Sequence, residues 1–233
     1  VITGVADGPR DKKWFTQHLP EDGSVQLIDQ TTEICTIGVW GPRARDIIQS
    51  LTDADMSHKQ FKFGWAKDIN LGDIKVWAFR ISYVGDLGWE IYIPMKHGQA
   101  VWDLIAEAGK PHGIVPAGIG VYGTTGRLEK GYRLFGAELE GEYTPIEAGL
   151  MRPKVKSQGF IGKDALVKLR EKDPLTTMCT LTVDDHQSAN GELRYMLGGE
   201  PILTLGGERI VDADGRSSYV TSAGSVSDTH PSR

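Results

Sequence analysis

A tyrosine and a glutamate seven residues apart, Tyr83 and Glu90, flank a glycine-rich turn in the stretch SYVGDLGWEIYIP. A carboxylate carries two coplanar acceptor oxygens. It can take two parallel N–H bonds from an amidine-like edge, such as that of a pterin or guanine. Tyr83 can stack on a flat ring or donate its hydroxyl. Gly85 and Gly88 let backbone approach a planar ligand. The plainer reading is an exposed strand carboxylate, because glutamate is mostly exposed. The residues alone leave both readings open.

Two other clusters draw the eye and carry less. GIGVYG, Gly118 to Gly123, fits the glycine spacing of a dinucleotide fingerprint. Only Ile114-Val115 stands before it as a strand, Pro116 interrupts, and no clean βαβ unit follows, so a glycine-rich helix entry is the expectation. Asp184, Asp185 and His186 resemble a metal or proton-relay cluster. Adjacent strand positions point to opposite faces and cannot converge on an ion, so a solvated turn is expected and no metal site. The patterns G-x-S-x-G, H-E-x-x-H and Walker A do not occur, which leaves hydrolase, metalloprotease and P-loop readings without support.

The elements that must position Tyr83 and Glu90 are legible in the hydropathy pattern. Strands are expected at Ile34–Val39, Ile74–Tyr83 and Glu90–Pro94, with Trp89, Ile91 and Ile93 on one face and Glu90 and Tyr92 on the other. Asp11 to His18 suits a short helix. Pro42 at a first helical position predicts a helix to Leu51, with Ala44, Ile47, Ile48 and Leu51 inward. His97–Gly109 has the stripe Val101, Leu104, Ile105 and Ala108 and stops at Gly109. A further helix is expected from about Val121 to Gly131. After the connector LMRPKVKSQGF, a helix over Gly162–Lys172 turns Ala165, Leu166 and Leu169 inward. Only strands and turns follow: Met178–Val183, Pro201–Leu205, Arg209–Val211 and Ser218–Thr221.

The bulk numbers bound the partners. With 233 residues, 39% of them hydrophobic, the chain can bury one large core, or one with a smaller companion. A net charge of −5 with no basic run beyond Lys12-Lys13 argues against nucleic acid. No apolar run approaches the roughly 20 residues that span a bilayer. Cys35 and Cys179 lack metal-ligand spacing, so a reducing, cytoplasmic setting is the default. The opening VITGVADG and the polar end SYVTSAGSVSDTHPSR read as the cut ends of a longer protein.

YVGDLGWEIYIP, RLEKGYRLFGAEL (Arg127–Leu139), TPIEAGL (Thr144–Leu150) and GFIGKDAL (Gly159–Leu166) occur in this order, with VITGVADGPRDKKWF before them and YVTSAG after. Together they resemble the aminomethyltransferase family, that of the folate-dependent T-protein of glycine cleavage. The RLEKGYR form is more similar to the folate domain of dimethylglycine and sarcosine oxidases and dehydrogenases. The resemblance implies an α+β folate-binding domain over residues 1–153 and a small C-terminal β-barrel over 154–233. It implies tetrahydrofolate as cofactor and transfer of a methylene or methyl group to it from an N-methylated amine or related small-molecule donor. A flavin domain or subunit in the full-length protein would be the partner. By the same resemblance Glu90 binds the pterin ring, Tyr83 lies against the folate and Thr3 touches it. The family's activating aspartate has no match in this chain; its place lies upstream of VITG. An arginine of the T-protein helix is also missing: GIGVYGTTGRLE carries Tyr122, Gly123 and Thr124 there. Alternatives within the resemblance are an O- or S-demethylase acting on tetrahydrofolate, T-protein itself and a non-catalytic folate-binding module.

Overall fold

The alternation in GWEIYIP produces the central strand, and the rest of the sheet follows from what its apolar face must cover. In the computed structural model, which describes residues 1–4, 6–150, 155–185 and 187–224, strand β4 runs Gly88–Pro94. Trp89, Ile91 and Ile93 are fully buried on one face. β4 pairs antiparallel with β3 (Ile74–Phe79), and β3 pairs antiparallel with β2 (Ala66–Leu71). With β1 (Ile34–Trp40) the order is β1-β4-β3-β2. The register sets Ile69 opposite Val76 and Ala78 opposite Ile91, so all four fall on the buried face. Burying each large apolar side chain of this kind contributes about 1.5–3 kcal/mol.

The described residues divide into two compact units. The first holds Val1–Val39, Arg43–Arg80 and Trp89–His112. Its helices are α1 (Gly8–Gln17), α2 (Ala44–Gln49) and α3 (Gly98–Gly109). Ala44, Ile47 and Ile48 of α2 and Val101 and Ile105 of α3 are buried with Met56 and Phe61. The second holds Trp40–Pro42, Ile81–Gly88 and the described residues from Gly113 onward. There a π-helical segment, Val121–Gly126, runs into one helical turn, α4 (Arg127–Glu129), and α5 covers Lys163–Leu169. No helix among the described residues is long and apolar enough to cross a membrane.

Several expectations need correction. β2 was not foreseen, because its Lys67 and Asp68 interrupt the apolar pattern. β3 ends at Phe79 rather than Tyr83: the Arg80 amide donates to the Trp65 carbonyl and the Arg80 carbonyl accepts from Gly64, which closes a turn with the start of β2. Pro42 precedes α2 by two positions and Arg43 is its N-cap. Met95–His97 is a separate 3-10 turn, so α3 begins at Gly98. The helix expected over Val121–Gly131 is π-helical for most of its length, and no strand precedes it, so GIGVYG is a glycine-rich helix entry. Ala165 and Leu169 of α5 are exposed and Leu166 half-buried: a stripe at helical spacing marks a face without saying what covers it. Met178–Val183 carries no strand. The later pairs expected as strands meet only as isolated bridges, Pro201 with Tyr219, Leu203 with Arg209 and Val211 with Ser217. Asp184 and Asp185 are exposed, and His186 lies outside the described residues, as does the expected domain boundary at 153 and 154.

Candidate functional site

The outward face of the sheet in the first unit is aromatic and carries one carboxylate. Because the side-chain period is two, the buried row Trp89, Ile91, Ile93 forces Glu90 and Tyr92 to the opposite side. The register places Glu90 opposite Phe79 and Tyr92 opposite Trp77. The Trp77 and Tyr92 ring centroids lie 4.9 Å apart, and Trp77 stacks on Phe79 at 6.0 Å with 26° between planes. Beyond Trp77 lies Asp68, which pairs with Lys75 at 3.0 Å. Glu90 is half-buried, and the Tyr92 hydroxyl donates to its Oε2. That bond anchors Oε2 of the carboxylate.

Tyr92 is the residue that sequence reasoning missed. The signal was present: it stands two positions after Glu90 on the same strand face, within reach of a hydroxyl-to-carboxylate bond.

Thr3, in the same unit, is exposed and donates its hydroxyl to Asp11. The Thr3 hydroxyl, and Arg10 after it, hold the Asp11 carboxyl below its usual range. Thr3 is bonded to α1 and not to Glu90.

Tyr83 belongs to the second unit. It lies in a run of rings: Trp40 against Tyr122 (5.3 Å), Tyr122 against Tyr83 (5.1 Å), and Tyr83 stacked on Tyr132 (6.0 Å, 14°). Its hydroxyl donates to the Arg133 carbonyl at 2.6 Å, and burial pushes its phenol above the ordinary value, so it stays a protonated donor. The turn before it is tight. Gly85 has φ +82°, which favours glycine, and the Lys130 side chain packs over it, 2.6 Å from where a Cβ would stand.

Below these rings lies a buried ion pair. Arg127 Nη1 donates to Glu138 Oε2 at 3.0 Å, with both side chains almost fully buried. Arg127 also donates to the Gly123 and Tyr132 carbonyls and to Ser222 Oγ. Glu138 accepts from the Leu134 amide and the Thr221 hydroxyl. Burial pushes the Glu138 carboxyl up, but these hydrogen bonds and Arg127 outweigh it and hold it below the usual range. Among the described residues no three His, Cys, Asp or Glu side chains come together as a metal site.

The structure is thus a mixed helix and strand protein in which a half-buried carboxylate, Glu90, is set beside the aromatic rings of Phe79, Trp77 and the buried Tyr92. The chain belongs to the glycine-cleavage T-protein family: the GCVT N-terminal domain matches residues 1–157. It is 37% identical over 174 residues to an aminomethyltransferase of Caldanaerobacter subterraneus, covering 74% of this chain and 46% of that protein. It is 36% identical over 187 residues to human mitochondrial dimethylglycine dehydrogenase, covering 78% of this chain and 21% of that protein. The chain thus spans about half the length of the aminomethyltransferase. Among solved structures, a heterotetrameric sarcosine oxidase from Corynebacterium sp. U-96 aligns over 42% of this chain and 49% of its own, with 17% identity and a TM-score of 0.37.

Proposed function

We propose that this chain is the folate-binding part of a tetrahydrofolate-dependent one-carbon transferase that takes a methylene or methyl group from an N-methylated amine or related donor. The observation that carries the reading is Glu90, held by the Tyr92 hydroxyl on a sheet face lined by Phe79, Trp77 and Tyr92. The family membership and the two relatives named above support it.

The residues fit a reduced pterin. Glu90 would accept two N–H bonds from the amidine-like edge, and the rings beside it would cover the flat heterocycle and exclude water. Tetrahydrofolate, when bound, supplies the nucleophilic amine that takes up the one-carbon unit. The protein's part is orientation, which can remove several kcal/mol of barrier, up to about 10. Tyr83 and Thr3 are proposed as further folate contacts and no residue of this chain as the activating aspartate. We assign residues 1–153 to the folate-binding domain and 154–233 to a small β-barrel. A flavin domain or subunit is the proposed partner; the relative named dimethylglycine dehydrogenase favours it. Free Cys35 and Cys179 suit a reducing, cytoplasmic setting.

The test is a calorimetric titration of the chain with tetrahydrofolate. Saturable binding is expected; a folded chain that binds none sinks the reading. Tyr92→Phe is expected to weaken binding by about 1 kcal/mol, roughly fivefold, the worth of one hydrogen bond. In a Glu90→Gln background the same change should add little, because the two residues act as one unit. An additive double variant would mean that Tyr92 does not position Glu90.

A further inference from the structure

The first unit also buries positive charge that no carboxylate answers. Arg80 is only 9% exposed. Its Nη1 donates to the Phe61 carbonyl at 2.6 Å and faces His58 Nδ1 at 3.0 Å. Arg45 approaches the same neighbourhood from α2. The two guanidinium carbons lie 5.8 Å and 5.9 Å from the ring centroid of the fully buried Trp89. None of the ion pairs among the described residues includes Arg45 or Arg80. A buried charge without a counter-charge is costly, and a second like charge beside it raises the cost. An indole face attracts a cation but does not neutralise one. Trp89 Nε1–H adds a buried donor that has no partner.

Access exists from the Arg45 side. Arg45 is half-buried, His58 is exposed, and Arg45 and Ser57 line one shallow, open surface depression whose lining stops short of Arg80 and Trp89. Asp46 also lines the depression, but its carboxylate is engaged by Arg43 at 3.2 Å.

We propose that Arg45 and Arg80 form a small-oxyanion site beside Trp89, with phosphate or a carboxylate as the ligand group. Arginine suits either, because its planar fork matches the spacing of two oxygens on one centre. An anion bound at these guanidiniums supplies the missing counter-charge. This site is separate from the outward sheet face and does not depend on the folate reading: Trp89 and Glu90 are neighbours on β4 and point to opposite sides of the sheet.

The experiment follows the Trp89 indole N–H signal by nitrogen-proton correlation NMR, assigned by its loss in Trp89→Phe. The chain is titrated with inorganic phosphate and, separately, with acetate, at ionic strength held constant with chloride. A saturable shift with at least one of the two is expected, and the tighter of them names the ligand group. Arg45 Nε also donates to the Met56 carbonyl at 3.0 Å, so Arg45→Gln is first checked for a native far-UV spectrum; it is then expected to weaken binding about tenfold or more, the scale of a charged hydrogen bond. No saturable shift with either ion, or unchanged affinity in a folded Arg45→Gln protein, overturns the proposal.

Discussion

Glu90→Ala is expected to weaken tetrahydrofolate binding by about 1.5–3 kcal/mol, roughly 10- to 150-fold, the range for hydrogen bonds to a charged group. The size of the effect follows from what the carboxylate offers. Two oxygens on one plane, with Oε2 held by the Tyr92 hydroxyl, give a rigid acceptor pair. A freely rotating side chain would lose part of that gain to ordering. Glu90→Gln separates charge from shape. Its amide oxygen still accepts from Tyr92, while its NH2 group turns a donor toward the donors of an amidine edge. The Gln variant should therefore lose nearly as much affinity as Ala while keeping the strand intact. Calorimetry on the two variants decides: an unchanged dissociation constant in a folded Glu90→Ala protein removes Glu90 from the site. Loss in Ala with full retention in Gln would show that the residue matters only for packing around Tyr92.

The part of this site that lies on one strand was open to sequence reading, because alternation over seven residues determines faces. Trp89, Ile91 and Ile93 could go nowhere but the core, and Glu90 and Tyr92 were thereby placed opposite them. What a single strand cannot reveal is its neighbour. Phe79 and Trp77 reach Glu90 and Tyr92 through the register with β3, and the register depends on where β3 stops. The expected strand ran to Tyr83, whereas it ends four residues earlier, where the Arg80 amide donates to the Trp65 carbonyl and the Gly64 amide donates to the Arg80 carbonyl. Those are contacts with the residues that lead into β2, the strand whose Lys67 and Asp68 hid it from the hydropathy pattern. The same limit explains the second unit. RLEKGYRLFGAEL contains both Arg127 and Glu138, eleven residues apart, yet no helical or strand spacing pairs them. They meet in the folded second unit, where Ser222 and Thr221, far along the chain, bond to one each.

Removing that carboxylate is the second large expectation. Glu138→Gln should destabilise the second unit by about 3 kcal/mol or more, because it leaves Arg127 buried and without a counter-charge. The Leu134 amide donates to Glu138 Oε2 at 3.0 Å, so its hydrogen-exchange rate reports the opening of this network directly. The pH dependence carries a sign that can be checked. The folded-state Glu138 carboxyl titrates below its usual value, so its contribution is fully present above the unfolded value, about 4.3, and is lost as pH falls through the folded value. The gap between wild type and Glu138→Gln should therefore narrow in acid. Replacing both partners with apolar residues, Arg127→Met with Glu138→Leu, should cost much less than the sum of the two single changes, since no charge is then left buried alone. A Leu134 amide that exchanges equally fast in Glu138→Gln and wild type would mean that Arg127 finds its counter-charge elsewhere, and that this pair does not hold Thr221 and Ser222 to the RLEKGYR segment.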